Sequence, residues 1–126
     1  MNERNILIVD DDEHYLRLIK AVVEQTGIKA QYASSGEVAV GILKENRFAT
    51  MITDLNMPGM DGIELAMIAK ELSPGINIVM ITGDTSPGVR RLAAGAGISK
   101  VLAKPCSAER IQSIARGKSV RTRGSK

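Results

Sequence analysis

The chain has 126 residues, 44% of them hydrophobic and 25% charged, the balance of one soluble globular domain with no room for a second folded unit. Its longest apolar runs, such as Ile6 to Val9 and Ile76 to Thr82, are of strand length, far short of the ~20 residues a transmembrane helix needs, and the N-terminus has no signal-peptide pattern. Of the 17 basic residues behind the formal charge of +3, Lys118, Arg121, Arg123 and Lys126 lie in the last stretch, leaving 13 against 14 acidic residues over 1–117; a body so close to neutral argues against direct nucleic-acid binding.

Short β-branched runs alternate with stretches of helical period, the pattern of βαβ units feeding a parallel sheet covered on both faces. The strands are expected at Asn5 to Val9, Ala30 to Ala33, Ala49 to Thr53, Asn77 to Ile81 and Lys100 to Ala103. Between the first two, a helix from about Glu13 to Thr26 is expected to turn Tyr15, Leu18, Ile19, Val22 and Val23 inward and to stop at Gly27. A second helix, from about Gly36 to Glu45 after a serine cap at Ser34 or Ser35, would bury Val38, Ile42 and Leu43. The third begins near Gly62, ends before Pro74, and buries some combination of Ile63, Leu65, Ile68 and Leu72. Ser86 followed by Pro87 starts the fourth, because a proline at the first helical position forfeits no hydrogen bond, and Gly95 and Gly97 end it. A short fifth helix follows Ser107 and carries Ile111, Ile114 and Ala115 inward. Residues 117–126, rich in Gly, Ser, Lys and Arg, read as a basic flexible tail or linker after a domain over 1–116. The lone Cys106 can form no internal disulfide, which fits a reducing cytoplasm.

In an open parallel sheet, ligands bind outside the carboxyl ends of the strands. The residues directly after strands one, three, four and five are Asp10 and Asp11, Asp54, Thr82, and Lys104. Three carboxylates at one point stay ionised together at neutral pH only with a cation among them, and oxygen ligands suit Mg²⁺. Asp11 and Asp54 are the expected direct ligands, with Asp10 acting through water and Asn56 through its main-chain carbonyl. Of the three, Asp54 is the best nucleophile, because Asp10 and Asp11 are committed to the ion and carboxylates form acyl phosphates. Lys104 adds a fixed positive charge for a transferring phosphoryl group, Thr82 a hydroxyl to bind it, and Gly83 a backbone N–H and an open approach. A run of three acids leaves the register open: Asp11 with Asp12 is the rival to Asp10 with Asp11, although Asp12 suits the start of the first helix.

Those residues sit in ILIVDDDE (Ile6 to Glu13), ITDLNMPGMDG (Ile52 to Gly62), MITG (Met80 to Gly83) and LAKP (Leu102 to Pro105). In this combination the chain resembles the receiver domain of two-component response regulators over about residues 4 to 116. The resemblance implies a three-layer flavodoxin-like (βα)5 fold with strand order 2-1-3-4-5, phosphoryl transfer from a phosphohistidine on a sensor histidine kinase or phosphotransfer protein, Mg²⁺ dependence, and a cis peptide before Pro105. It also implies that Asn56 and Asp84 tune the lifetime of the acyl phosphate. Two positions depart from the family pattern. Val101 stands three residues before the lysine, where a Tyr or Phe usually rotates on activation, and Cys106 replaces a common Phe.

Three other readings compete. A phosphatase turning over external substrates would need a general acid near Asp54, and the second residue after it is Asn56. An interaction domain unable to accept phosphate does not need the full set of acids, hydroxyl and lysine. A nucleotide-binding domain would carry a glycine-rich loop after strand one, where this chain has acids. His14, the only histidine, reads as an exposed residue of the first helical turn rather than a phosphodonor.

Overall fold

A computed structural model describes residues 5–117. The basic segment from Lys118 onward lies outside the described residues. Ten elements alternate along the chain: β1 (Ile6–Val9), α1 (Glu13–Glu24), β2 (Ala30–Ala33), α2 (Gly36–Glu45), β3 (Thr50–Thr53), α3 (Gly62–Leu72), β4 (Asn77–Thr82), α4 (Pro87–Gly95), β5 (Lys100–Ala103) and α5 (Ala108–Ala115). The five strands form one parallel sheet in the order β2-β1-β3-β4-β5, the flavodoxin-like arrangement.

Period-two alternation along the inner strands divides the core in two. Leu7, Val9, Met51, Ile78 and Met80 point into one cluster with Leu65, Ala69 and Ala93 of α3 and α4. Ile6, Ile8, Ile52, Val79 and Ile81 point the other way, onto Tyr15, Ile19 and Val23 of α1 and Ile111 and Ile114 of α5. Each fully buried aliphatic side chain stabilises the fold by about 2 kcal/mol, and a one-residue slip of any inner strand would exchange the two faces. Register is therefore tightly held, and with it the height at which each strand ends.

The helix starts follow local chemistry. Asp12, Ser35, Asp61, Ser86 and Ser107 each accept a backbone N–H of the first turn, and Asp61 and Glu64 form a reciprocal capping box. Helix α1 stops at Glu24, two residues short of the expected end, and Gly27 leaves it at φ 75°. Other expectations of burial fail by a rotation. Leu18 is 63% exposed, because the buried stripe runs through Tyr15, Ile19 and Val23, about 100° round the helix. In α2 the inward residues are Gly36, Ala39 and Leu43, which leaves Val38 49% exposed, and in α3 Leu72 lies outside the stripe of Leu65, Ala66 and Ala69. Small alanines seat these two helices on the sheet, and a pattern search weighted toward large side chains passes over them. The Lys104–Pro105 peptide is cis.

Candidate functional site

Strand pairing builds the site. Val9 pairs with Thr53, so Asp10 and Asp54 leave the sheet side by side; Thr82 pairs with Ala103, so Lys104 follows one step beyond. Backbone hydrogen bonds extend the ladder past the strand ends, from Asp54 N–H to Val9 O (3.1 Å) and from Lys104 N–H to Thr82 O (3.0 Å). Strands β1, β3 and β5 thus deliver their next residues to one rim, and β4, one residue longer than expected, delivers its last, Thr82.

The register of the acid run is resolved by what each carboxylate holds. Asp12 caps α1, accepting the N–H groups of His14 (3.0 Å) and Tyr15 (3.2 Å). Asp10 is 3% exposed and accepts the Asp12 N–H at 2.9 Å. Asp10, Asp11 and Asp54 each offer a carboxylate oxygen, all within 4.8 Å of one another, and Asp11 is the exposed member. Asp54, 8% exposed, accepts the Leu55 N–H on Oδ1 at 2.8 Å and the Lys104 ammonium on Oδ2 at 3.2 Å. The same ammonium lies 3.0 Å from Asp10 Oδ2. Three clustered carboxylates, two of them on the Lys104 ammonium, leave a local excess of negative charge that suits a divalent cation. Burial raises the Asp10 carboxyl above its ordinary value, against the opposing pull of the Asp12 N–H and Lys104. For Lys104, burial alone would lower the ammonium, but its hydrogen bond to Asp10 and the charges of Asp10 and Asp54 prevail and hold it above the usual lysine value.

Thr82 is fully buried, and its hydroxyl accepts the Asp84 N–H at 3.1 Å. The Asp84 side chain is itself engaged, accepting the Ser86 N–H at 3.0 Å, which holds its carboxyl below the ordinary range. Asn56 and Gly83 are exposed beside the rim. A Cβ placed on Gly83 would meet nothing within 4 Å, so the openness expected from glycine belongs to the position and not to the missing side chain. Gly62 is different: a Cβ there would fall on the carbonyl oxygen of Asp54, and its N–H binds Leu55 O at 2.8 Å, so the start of α3 is pressed against the loop that carries Asp54.

Two contacts were not legible in the sequence. Tyr15 carries its ring beneath the Lys104 ammonium, 4.7 Å from the ring centroid, and accepts the Cys106 N–H on its hydroxyl at 3.0 Å. Arg90 bridges the loop before α4 to the last strand, donating to Thr85 O (3.0 Å) and, more weakly, to Val101 O (3.5 Å). Helical spacing marked Tyr15 only as a core residue, and nothing marked Arg90.

A doubly wound parallel sheet with acids, a hydroxyl and a lysine at the carboxyl ends of its strands defines a phosphoacceptor α/β domain. The family model described as response regulator receiver domain matches residues 6–116. A CheY-like response regulator receiver domain protein from Methanospirillum hungatei JF-1 superposes with a TM-score of 0.86 at 27% identity, over 92% of this chain and 93% of that one. A Burkholderia pseudomallei response regulator, solved with a phosphorylated aspartic acid, a calcium ion and citrate, superposes at 0.83 with 25% identity, over 88% of this chain and 65% of that one. Among sequence relatives, a response regulator receiver protein of Anaeromyxobacter sp. (strain Fw109-5) is 30% identical over 108 residues, 86% of this chain and 45% of the relative. The virulence sensor protein BvgS of Bordetella pertussis is 40% identical over 72 residues, 56% of this chain and 6% of BvgS. The chain therefore spans less than half the length of these sequence relatives. It belongs to the response regulator receiver domain family, the phosphoacceptors of two-component signalling.

Proposed function

We propose that Asp54 is the residue that takes the phosphoryl group, donated by the phosphohistidine of a sensor histidine kinase or phosphotransfer protein. One observation carries this reading: β3 lies between β1 and β4, so Asp54 is the carboxylate that stands between the acid pair after β1 and the hydroxyl and lysine of β4 and β5, with Lys104 on its Oδ2 at 3.2 Å. A carboxylate oxygen attacks phosphorus as the phosphorus–nitrogen bond of the donor breaks, and the departing imidazole takes up a proton from solvent. Lys104 is already aligned on the acceptor, so its charge meets the phosphoryl oxygens without reorganisation. The Thr82 hydroxyl accepts the Asp84 N–H and keeps its own O–H to donate to a phosphoryl oxygen, with the exposed Gly83 N–H beside it. Asp11 and Asp54, with the Asn56 carbonyl and with Asp10 through water, would hold Mg²⁺, which supplies neutralising charge at the phosphoryl oxygens.

The domain catalyses its own phosphorylation and slow dephosphorylation and turns over no other substrate. Asn56 and Asp84 set how long the acyl phosphate lasts. Residues 1–116 form the receiver, 117–126 a basic tail or linker, and the setting is cytoplasmic, in keeping with a single cysteine; no helix among the described residues is long and apolar enough to cross a membrane. With Val101 in place of an aromatic ring, the phosphorylation signal reaches the face of α4, β5 and α5 weakly or by another route. The test of the central assignment is incubation with phosphoramidate and Mg²⁺ followed by intact mass. Wild type gains one phosphate and Asp54→Asn gains none; a one-phosphate shift in both would remove Asp54 from this role.

A further inference from the structure

The Lys104 ammonium has two anionic neighbours, Asp10 Oδ2 at 3.0 Å and Asp54 Oδ2 at 3.2 Å, and one aromatic neighbour, the Tyr15 ring at 4.7 Å. A lysine is a point charge on a flexible four-carbon stem, so where its charge sits depends on what surrounds it. Two carboxylates attract the ammonium but do not fix it, because either could draw it to one side once phosphorylation changes the charge on Asp54. A ring face offers a third attraction, insensitive to that change, and occupies volume that water would otherwise fill.

Tyr15 is built to hold such a position. It is 8% exposed and packs in the core cluster with Ile8 and Ile81. Its backbone N–H is tied to the Asp12 cap, and its hydroxyl accepts the N–H of Cys106 at 3.0 Å, two residues beyond Lys104. One side chain from the first turn of α1 thus touches both the charged tip of Lys104 and the backbone just downstream of it, across 91 positions of sequence. A packing role alone would call for neither a ring under the ammonium nor a hydroxyl on that N–H.

Building on the assignment of Asp54 as phosphoacceptor, we propose that Tyr15 is a positioning residue for the phosphorylation reaction, its ring holding the Lys104 ammonium over Asp10 and Asp54 and its hydroxyl fixing the loop that carries the lysine. Tyr15 touches neither donor nor phosphoryl group, and acts only through Lys104.

The test uses the full chain as Tyr15→Phe, Tyr15→Leu and Tyr15→Met, each also combined with Lys104→Ala, and two measurements. The first is the chemical shift of the Lys104 ε-methylene protons, which an aromatic face moves upfield. The second is the rate of acyl phosphate formation from phosphoramidate and Mg²⁺ across donor concentrations. The upfield shift is expected in wild type and Tyr15→Phe and lost in the Leu and Met variants. Leu and Met slow phosphorylation about tenfold, the factor expected for losing an attraction of cation–π strength, and Phe restores most of the rate. Once Lys104 is alanine, Leu and Met produce no further slowing, as a residue working through the lysine requires. An ordinary methylene shift in wild type, an undiminished rate in the Leu and Met variants, or slowing that persists in full beside Lys104→Ala would each overturn the proposal. Should Tyr15→Leu fail to fold, the rate of Tyr15→Met, alone and beside Lys104→Ala, still decides it. A wild-type chain that takes no phosphate at all would instead strike at Asp54, and the shift measurement would judge Tyr15 independently.

Discussion

The acid rim at the carboxyl ends of the strands and the face formed by α4 and the edge strand β5 are packed very differently. At the rim, Asp10, Asp54 and Thr82 are almost fully buried, and each has a backbone N–H directed at it, from Asp12, Leu55 and Asp84. On the neighbouring face, β5 pairs only with β4, none of its four residues is fully buried, Ala93 is the one buried residue of α4, and Leu92 is 62% exposed. The cause is topological. Strands β1 and β3 have partners on both sides and helices above and below, whereas β5 is an edge strand under a short helix. The chemistry therefore sits where geometry is overdetermined, and Val101 and the Arg90 bridge sit where it is not.

The largest effect should come from disturbing the rim through its backbone. Gly62→Ala sets a methyl against the Asp54 carbonyl, which must move, and is expected to cost about 3 kcal/mol in denaturant unfolding and to slow phosphorylation as the acceptor loop shifts. Stability within 0.5 kcal/mol of wild type would show that the loop yields freely, and the contrast between the two regions would be lost.

A smaller effect should come from giving the looser face the ring it lacks. Upon phosphorylation, amide chemical-shift changes across α4, β5 and α5 are expected to be larger in Val101→Tyr than in wild type. Equal changes in both would mean that Val101 transmits as well as an aromatic side chain does.

The smallest concerns the boundary between the regions, the turn at Asp84. Its carboxyl is held low by the Ser86 N–H, so the folded chain releases that proton at lower pH than the unfolded chain does. The resulting stabilisation is present above the ordinary carboxylate value of 3.8 and is lost as pH falls through the folded value. Asp84→Ala should remove this dependence and lower Tm at neutral pH by on the order of 1 °C, as suits an exposed group. It should change the dephosphorylation rate more than the phosphorylation rate; parallel changes in both would place Asp84 in the transfer step itself.

Much of the site could be read from the chain because its residues are strand-end residues. Once the runs ending at Val9, Thr53, Ile81 and Ala103 are recognised as parallel strands, their successors must meet at one rim, even though the fourth strand extends to include Thr82. Within the acid run, Asp12 suits the start of α1, and it does cap that helix through the N–H groups of His14 and Tyr15. In α1 and α2 the outliers are Leu18 and Val38, while Tyr15, Ile19, Val23 and Leu43 are buried as their spacing implies. Leu18 beside Ile19, and Val38 beside Ala39, fit a helical period almost equally well, and which arc is buried depends on what the sheet presents to it.

By itself, then, the order of residues determined the alternation of strands and helices, the helix caps and the identity of the groups gathered at the rim, because those follow from short-range periodicity and from where each strand runs out. Only the tertiary structure decided that Lys104 bridges Asp10 and Asp54 and that Tyr15 lies beneath it. Those are contacts between residues dozens of positions apart, fixed by strand register and by the rotation of α1 against the sheet, and local pattern carries no record of either.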